Sequence, residues 1–403
     1  MTVSLHELLQ PQVILKVISR IRPGQGRLGR WMGFQTNKFD GEKVSLTGPH
    51  TVQGDTRYAT FRIFDTTRVI AQGRAPGTGP ATIPVNPIGS VPVSCARFHM
   101  KIPLTYEELG NLSPVIGPNS VIDTGGQNYI QRMIGHIARQ FNNVVEVMTS
   151  GMLQDNLYLN YQGDNILVSI GQLTGTNAFG FQVPFQVPPG NKNQLNMLGT
   201  GNILTVPWSN PGAPLIQQIM SIKAAFMQLS GYALTDVWVN SPTWYRVLTN
   251  NEVRNTAGSA NTPFAEYDNV PETGADGEPT GDFEAILRAD PTITWHITDE
   301  VLVINSQIDP SYSTAPSTAT LTKMVPDNTA FFLTRPSSEW SQIYHGGEYV
   351  VENPGMPGVL RRGYHFWHEY VTQPSAVDLI GLLNAVPLLY VPKVVCPATV
   401  SGF

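Results

Sequence analysis

A chain of 403 residues has room for two or three domains or for one elongated, multi-lobed subunit. Apolar residues make up 41% and charged residues 14%, so cores can be buried while the surface carries fewer charges than an average soluble protein. The formal charge of −5 argues against a protein whose main task is gripping nucleic-acid phosphates.

In chain order, residues 4–19 place Leu5, Leu8, Leu9, Val13, Ile14, Val17 and Ile18 at helical spacing, interrupted by Pro11. No basic stretch leads into an apolar one there, so no secretion signal is expected, and no apolar run is long enough to span a membrane. Arg20, Arg22, Arg27 and Arg30 follow in a Gly-containing stretch that reads as a short arm. Residues 46–93 are rich in Gly, Pro and Arg. Tyr58–Phe64 and Val91–Ile102 read as the two strands of a projecting ribbon around Arg74-Ala-Pro-Gly-Thr-Gly-Pro80, which cannot be helical.

The spacing of Ile130, Met133, Ile134, Ile137, Ala138, Phe141, Val144, Val145, Met148 and Met152 predicts one long helix over 127–153, about 40 Å in length, with Asp123 or Thr124 as its cap. Arg132, Arg139 and Glu146 fall off that stripe. Leu157–Tyr161 and Ile166–Ile170 predict a hairpin, and 171–206 an irregular connection. A second helix is predicted over 213–231, a strand over 236–240, and a helix from Ser241 with Pro242 in its first turn. Residues 255–281 read as a polar, acidic surface loop, 282–289 as a short helix, and 292–297, 300–305, 318–324 and 329–334 as strands. Two longer strands, Gly363–Val371 and Leu379–Val391, close the chain.

Charge is unevenly spread. Residues 1–75 hold eleven Lys/Arg against five Asp/Glu, a net +6; residues 251–300 hold eleven Asp/Glu against two Arg, a net −9. These two regions could meet across subunits or serve different partners.

Chemistry is hard to find. Cys95 and Cys396 support neither a disulfide framework nor a zinc site, which makes a reduced compartment the default. Gly199-Thr-Gly201 leads into Asn-Ile-Leu, so no dinucleotide fingerprint or P-loop exists, and no nucleophile elbow occurs. His365, His368 and Glu369 are the one tight set of potential metal ligands, but on a strand the two histidines face opposite sides. The carboxylates show no pairing suited to acid–base work. No enzyme, cofactor or metal site is expected.

Met324-Val-Pro-Asp-Asn-Thr-Ala-Phe-Phe332, Val386-Pro-Leu-Leu-Tyr-Val-Pro392 and the helix-forming stretch Ile130–Leu153 resemble segments of the major capsid proteins of tailed bacteriophages, in the group related to the phage lambda capsid protein. The order of elements along nearly the whole chain is also similar. The resemblance implies an α+β capsid fold: an N-terminal arm over 1–45, an extended β-loop and return strand over 46–104, and a peripheral lobe over 105–206 built on the spine helix. An axial lobe over 207–345 and C-terminal strands over 346–403 completing the peripheral lobe would follow.

By that resemblance the chain assembles with itself into hexamers and pentamers of an icosahedral shell around double-stranded DNA, located in the virion after assembly in the host cytoplasm. Further partners implied are a separate scaffolding protein, a portal and decoration proteins. Arg57, Arg62, Arg68 and Arg74 are the candidate inter-subunit contacts; Arg20, Arg22, Arg27 and Arg30 are candidate contacts to DNA, scaffold or a neighbour. No Lys lies between Lys43 and Lys101, so the Lys–Asn crosslink of some relatives is not expected. Only some 30 residues precede the first β-region, too few for an attached scaffolding segment. Two rivals stand beside this reading: a nanocompartment shell of the same fold, and a β-rich hydrolase or carbohydrate-binding protein suggested by seven Trp and fourteen Tyr. The last lacks the paired carboxylates of glycoside chemistry.

Overall fold

A computed structural model of the chain describes residues 3–4, 27–35, 39–40, 43–44, 48–64, 89–105, 121–122, 124–162, 165–172, 179–256, 265–268, 283–305, 319–351, 358–372 and 375–403. Arg27–Trp31 forms a short helix, α1, and Thr51–Gln53 a strand, β1. Tyr58–Ile63 (β2) pairs antiparallel with Gly89–Ser94 (β3), and the chain runs on into Ala96–Thr105 (β4). The spine helix, α2, is Thr124–Leu153, and at 30 residues it is about 45 Å long. Leu157–Gln162 (β5), Asn165–Ile170 (β6) and Phe179–Gln182 (β7) make a three-stranded antiparallel sheet with β5 in the middle.

The next region is built on helices α3 (Leu215–Ser230) and α4 (Ser241–Thr249) with the strand Asp236–Val239 (β8) between them. Asn240 caps α4 by accepting the Thr243 N–H at 3.1 Å, and Pro242 fills a first-turn position that needs no donor. Ala265–Asp268 (β9), Phe283–Leu287 (β10) and Asp290–Ile297 (β11) follow, then a separate hairpin of Val301–Asn305 (β12) and Ala319–Lys323 (β13). The remaining strands are β14 (Thr329–Leu333), β15 (Ser341–His345), β16 (Gly347–Val350), β17 (Val359–Arg362), β18 (Tyr364–Thr372), β19 (Ser375–Leu389) and β20 (Val395–Thr399).

Two sheets organise the molecule. One has the order β18–β19–β15–β1, with β4 along the other side of β19. β19 reads as a near-continuous apolar run because neighbours cover both its edges and both its faces: β18 and β4 flank Ala376–Leu383, and β15 takes Ala385–Leu389. Gly381 sits under α2, where a Cβ would lie 2.7 Å from Ile137 and 2.9 Å from the Phe141 ring; its missing side chain lets the helix settle on the sheet. Phe141 then packs at a tilt, 5.9 Å from Phe366 and 6.2 Å from Tyr364. On the opposite face the hairpin β16–β17 covers a smaller apolar cluster of Val350, Trp367, Ile380 and Leu382.

The other sheet runs β9–β10–β11–β8–β14–β20, parallel only between β8 and β11. Its core is aromatic: Trp208 lies 6.2 Å from both Trp295 and Phe332, and Trp244 lies 5.4 Å from Trp295. The last strand, β20, returns the chain from the first sheet to the second, and one buried apolar cluster runs through both.

Four sequence expectations need correction. Residues 283–287 are a strand rather than part of a helix: Ala285 and Leu287 are buried while Ile286 is exposed, an alternation of period two that pairing with β9 and β11 enforces. The run Val91–Ile102 is two strands. Its first half closes the ribbon with β2, and after Cys95 its second half joins the β19 sheet. The connection 171–206 includes strand β7, and Val183, Phe185, Leu195 and Leu204 are buried. Glu146 lies off the apolar stripe, yet it is fully buried because α1 packs over it. The helix expected over 4–19, apart from the strand residue Ser4, and most of the loop 255–281 lie outside the described residues.

Candidate inter-subunit surface

The ribbon is fastened at its base. β2 alternates exposed Tyr58, Thr60 and Arg62 with buried Ala59, Phe61 and Ile63. The buried set faces Val91 and Val93 of β3, and Phe61 meets Tyr390, beyond the end of β19, at 6.1 Å. The Phe64 N–H donates to Tyr390 O at 2.9 Å. Below the ribbon, Gly54 N–H donates to His345 O at 3.0 Å, the Tyr344 hydroxyl donates to Thr56 O at 2.9 Å, and Arg362 pairs with Asp55.

Glu348 is the centre of this anchorage. It is 8% exposed and receives Arg57 at 2.6 Å, Arg97 at 2.8 Å and, on its other oxygen, the Asn384 amide at 2.8 Å. Arg57 therefore has a partner within its own chain. Arg62 stands exposed on the outer face of the ribbon, opposite Ser90, with no ion pair among the described residues. Arg68 and Arg74 lie outside the described residues, as do Arg20 and Arg22.

The remaining two N-terminal arginines sit at α1, which wedges between α2 and the six-stranded sheet. Arg27 is 9% exposed and has partners within its own chain. Its guanidinium donates to Ile297 O at 3.1 Å, approaches Glu284 at 3.5 Å and lies 5.6 Å from the Trp238 ring centre. The basic end and the acidic region thus meet inside one subunit. Arg30 is half-buried and lines a cleft of about 820 Å³ with Trp31, His50, Asp236, Glu284, His296 and Arg335.

His296 lies buried on that cleft. It stacks on Trp238 at 4.6 Å, with Nε2 at 2.7 Å from Asp236 and Nδ1 at 3.1 Å from Glu284. Nε2 makes the hydrogen bond, while Glu284 stands at ion-pair distance, and two carboxylates so close favour the imidazolium. Burial pulls its pKa down, and the hydrogen bonds and charges of Asp236 and Glu284 more than reverse this, leaving it raised. A raised pKa means stability present below the ordinary imidazole value and lost as pH rises through the folded one. The unfolding midpoint is therefore expected to fall as pH climbs past neutrality, with a smaller slope in His296→Gln; urea titrations across that range check it, and equal slopes would refute it.

Elsewhere the chemistry is structural. His365 and His368 point to opposite faces of β18; His365 stacks on Trp367 at 5.3 Å, and His99 stacks on the same ring at 5.6 Å. Burial lowers His345 to about 4 and raises Cys95 to about 12, so the former is neutral and the latter an inert thiol at neutral pH. No described helix is long and apolar enough to cross a membrane.

Sequence reasoning missed Glu348, Glu146 and His296. Glu146 had left a trace: it is the sole charged residue between Gln140 and Leu153, in the most apolar part of α2. Glu348 and His296 had none, because their partners are far away in sequence.

No protein-family model and no curated protein matches the sequence. Solved structures do. A phage-related protein from Bordetella bronchiseptica RB50 aligns with a TM-score of 0.51 at 12% identity, over 96% of this chain and 97% of its own. A protein assigned as the capsid protein of a prophage in E. coli CFT073 aligns with a TM-score of 0.50 at 10% identity, over the full length of both chains. The chain therefore has the α+β fold of these phage-related structures, including the prophage capsid protein, the fold class that the sequence resemblance implied.

Proposed function

We propose that the chain is a major capsid protein, a structural subunit that assembles with itself into hexamers and pentamers of an icosahedral shell enclosing double-stranded DNA. The observation that carries the reading is the correspondence in fold with the prophage capsid protein, which spans both chains from end to end. In this reading α2 with the β19 sheet is the peripheral lobe and the six-stranded sheet with α3 and α4 is the axial lobe. The virion shell is its location, and scaffolding, portal and decoration proteins are its further partners. Subunit contacts are individually weak and become decisive because every subunit meets several neighbours at high effective concentration.

The outer face of the ribbon, with Tyr58 75% exposed beside Thr60 and Arg62, is the surface assigned to a neighbouring copy. Arg68 and Arg74, further along the same arm, are assigned to it as well, whereas Arg57 serves the arm's own anchorage. Negative-stain microscopy of the purified chain tests the function: closed shells of uniform diameter or capsomer rings support it, and a monomer that never assembles, even with a co-expressed scaffold, refutes it. Arg62→Glu is expected to reduce closed shells at least about tenfold with an unchanged circular-dichroism spectrum. Wild-type shell yield from that variant would remove the ribbon face from the interface.

A further inference from the structure

The two edges of the ribbon are not alike. The Cys95 N–H donates to Arg57 O at 2.7 Å, which makes Arg57 and Cys95 a hydrogen-bonded pair at the foot of the β2–β3 ladder. Pairs in an antiparallel ladder alternate between hydrogen-bonded and not, and residues of the second kind turn their N–H and C=O away from the partner strand. Here those pairs are Tyr58 with Ser94, Thr60 with Pro92 and Arg62 with Ser90. Pro92 agrees with this parity, since it has no N–H to give to a hydrogen-bonded pair.

On the β3 side, Pro92 occupies the middle outward position, so that edge lacks a donor a further strand would need. The β2 side has no such block. Tyr58 O accepts the Thr56 hydroxyl at 2.8 Å and the Phe64 N–H reaches Tyr390 O at 2.9 Å, so the chain closes both ends of this edge itself. Between them, the backbone groups of Thr60 and Arg62 that face outward have no partner among the described residues. Natural sheets protect their edges, and this ribbon protects one and leaves the other open.

An open edge of matching character belongs to the acidic region. β9, Ala265-Glu-Tyr-Asp268, is the outermost strand of the six-stranded sheet and pairs only with β10. It is four residues long, close to the open stretch of β2, and lies within the region 251–300 of net charge −9. Its sequence brings two acids and no base, whereas β2 brings Arg62 and no acid.

We propose that β2 of one copy adds edge-to-edge to β9 of a neighbouring copy, so that the ribbon extends the neighbour's six-stranded sheet. Resting on the capsid reading, this pairing names the surface that the arm meets. Main-chain hydrogen bonds of Thr60 and Arg62 make the attachment, and the charge of Arg62 against the acidic strand selects the edge. Ribbon and receiving sheet are different patches of each copy, the head-to-tail arrangement that closes into rings. Pro92 keeps the ribbon from recruiting a further strand on its far side.

Hydrogen exchange separates this pairing from the capsid reading. In assembled particles the Thr60 and Arg62 amides are expected to exchange at least about tenfold more slowly than in the free chain, with little change at Ser90 on the closed edge. Particles in which Thr60 and Arg62 exchange as in the free chain would overturn the pairing and leave the capsid reading standing, whereas a chain that never assembles fails the capsid reading itself. Thr60→Pro removes an outward donor without breaking the ribbon's own ladder, so it should cut closed shells at least about tenfold with unchanged circular dichroism. Ser90→Pro, on the far edge, should assemble as wild type. Wild-type shell yield from Thr60→Pro also overturns the pairing; should that variant fail to fold, the exchange comparison on the unmodified chain decides alone. Charge exchange tests the choice of β9. Glu266→Arg or Asp268→Arg, added to Arg62→Glu, should recover shells that Arg62→Glu alone loses, and recovery by neither would overturn the assignment to β9.

Discussion

Gly381→Val is expected to lower the stability of the chain by about 3 kcal/mol, the upper end of the cost of overfilling a packed core. The new side chain would start 2.7 Å from Ile137 and 2.9 to 3.1 Å from the Phe141 ring, inside van der Waals contact before its methyl groups are added. Phe141 cannot swing aside, since it is fully buried against Tyr364 and Phe366. β19 cannot retreat either, because Gly381 is paired with Phe366 on one side and Met100 on the other. The strain must then be relieved by lifting the spine helix. Gly381→Ala should cost about half as much. Combining Gly381→Val with Ile137→Ala should recover part of the loss, because the second change vacates the space the first invades; contacting residues couple in this way by about 0.5–3 kcal/mol. Urea unfolding of the three variants reads these differences, and a Gly381→Val midpoint equal to wild type would mean that the helix does not rest on this strand.

Legibility in the sequence followed the range of the interactions. The spine helix was predicted over 127–153 and is found over 124–153, since a 3.6-residue apolar period is a local property that ten residues repeat. The capped helix at Ser241 and the hairpin 157–170 were equally local. The strand Phe283–Leu287 was misread because five residues are too few to separate a period of two from one of 3.6, and its strand character comes from neighbours on both sides. The break at Cys95 has no local marker; it exists because two different sheets claim the halves of one β-prone run. The arginines show the same limit. Spacing placed Arg27 and Arg57 in basic stretches of sequence, whereas Glu284 and Glu348, which hold them, lie 257 and 291 residues away. Candidate contact residues can be read from composition, but which of them remain available to a neighbour is decided by the fold.

Glu348→Ala should therefore disturb assembly more than loss of any single arginine of the ribbon, although it is buried within its own chain. Its carboxylate gathers Arg57 from the arm, Arg97 from β4 and Asn384 from β19, and Asn384 is 1% exposed. Removing it leaves a buried amide N–H without an acceptor and two guanidinium groups together without an anion. Taking one partner from a fully buried ion pair costs about 3–5 kcal/mol, but here both arginine side chains are more than 40% exposed and can rehydrate, so about 2 kcal/mol is expected. Arg57→Ala and Arg97→Ala, which leave the carboxylate one cation each, should cost about 1 kcal/mol or less apiece. The larger consequence is geometric. Asp55–Arg57 lies so close to Gly346 and Gly347 that a Cβ on either glycine would fall within 3 Å of that backbone, and Glu348 is the charge that holds the two segments together. With it gone, the ribbon keeps the Phe61–Tyr390 contact and the hydrogen bonds of Gly54, Thr56 and Phe64 but loses its charged clamp, so its outer face meets a neighbour in a less fixed direction. Glu348→Ala should give a folded chain of normal circular dichroism that forms few or irregular particles under the microscope, while Glu348→Gln, keeping a neutral acceptor, falls between it and wild type. Uniform shells from Glu348→Ala would show that the ribbon is aimed without this charge.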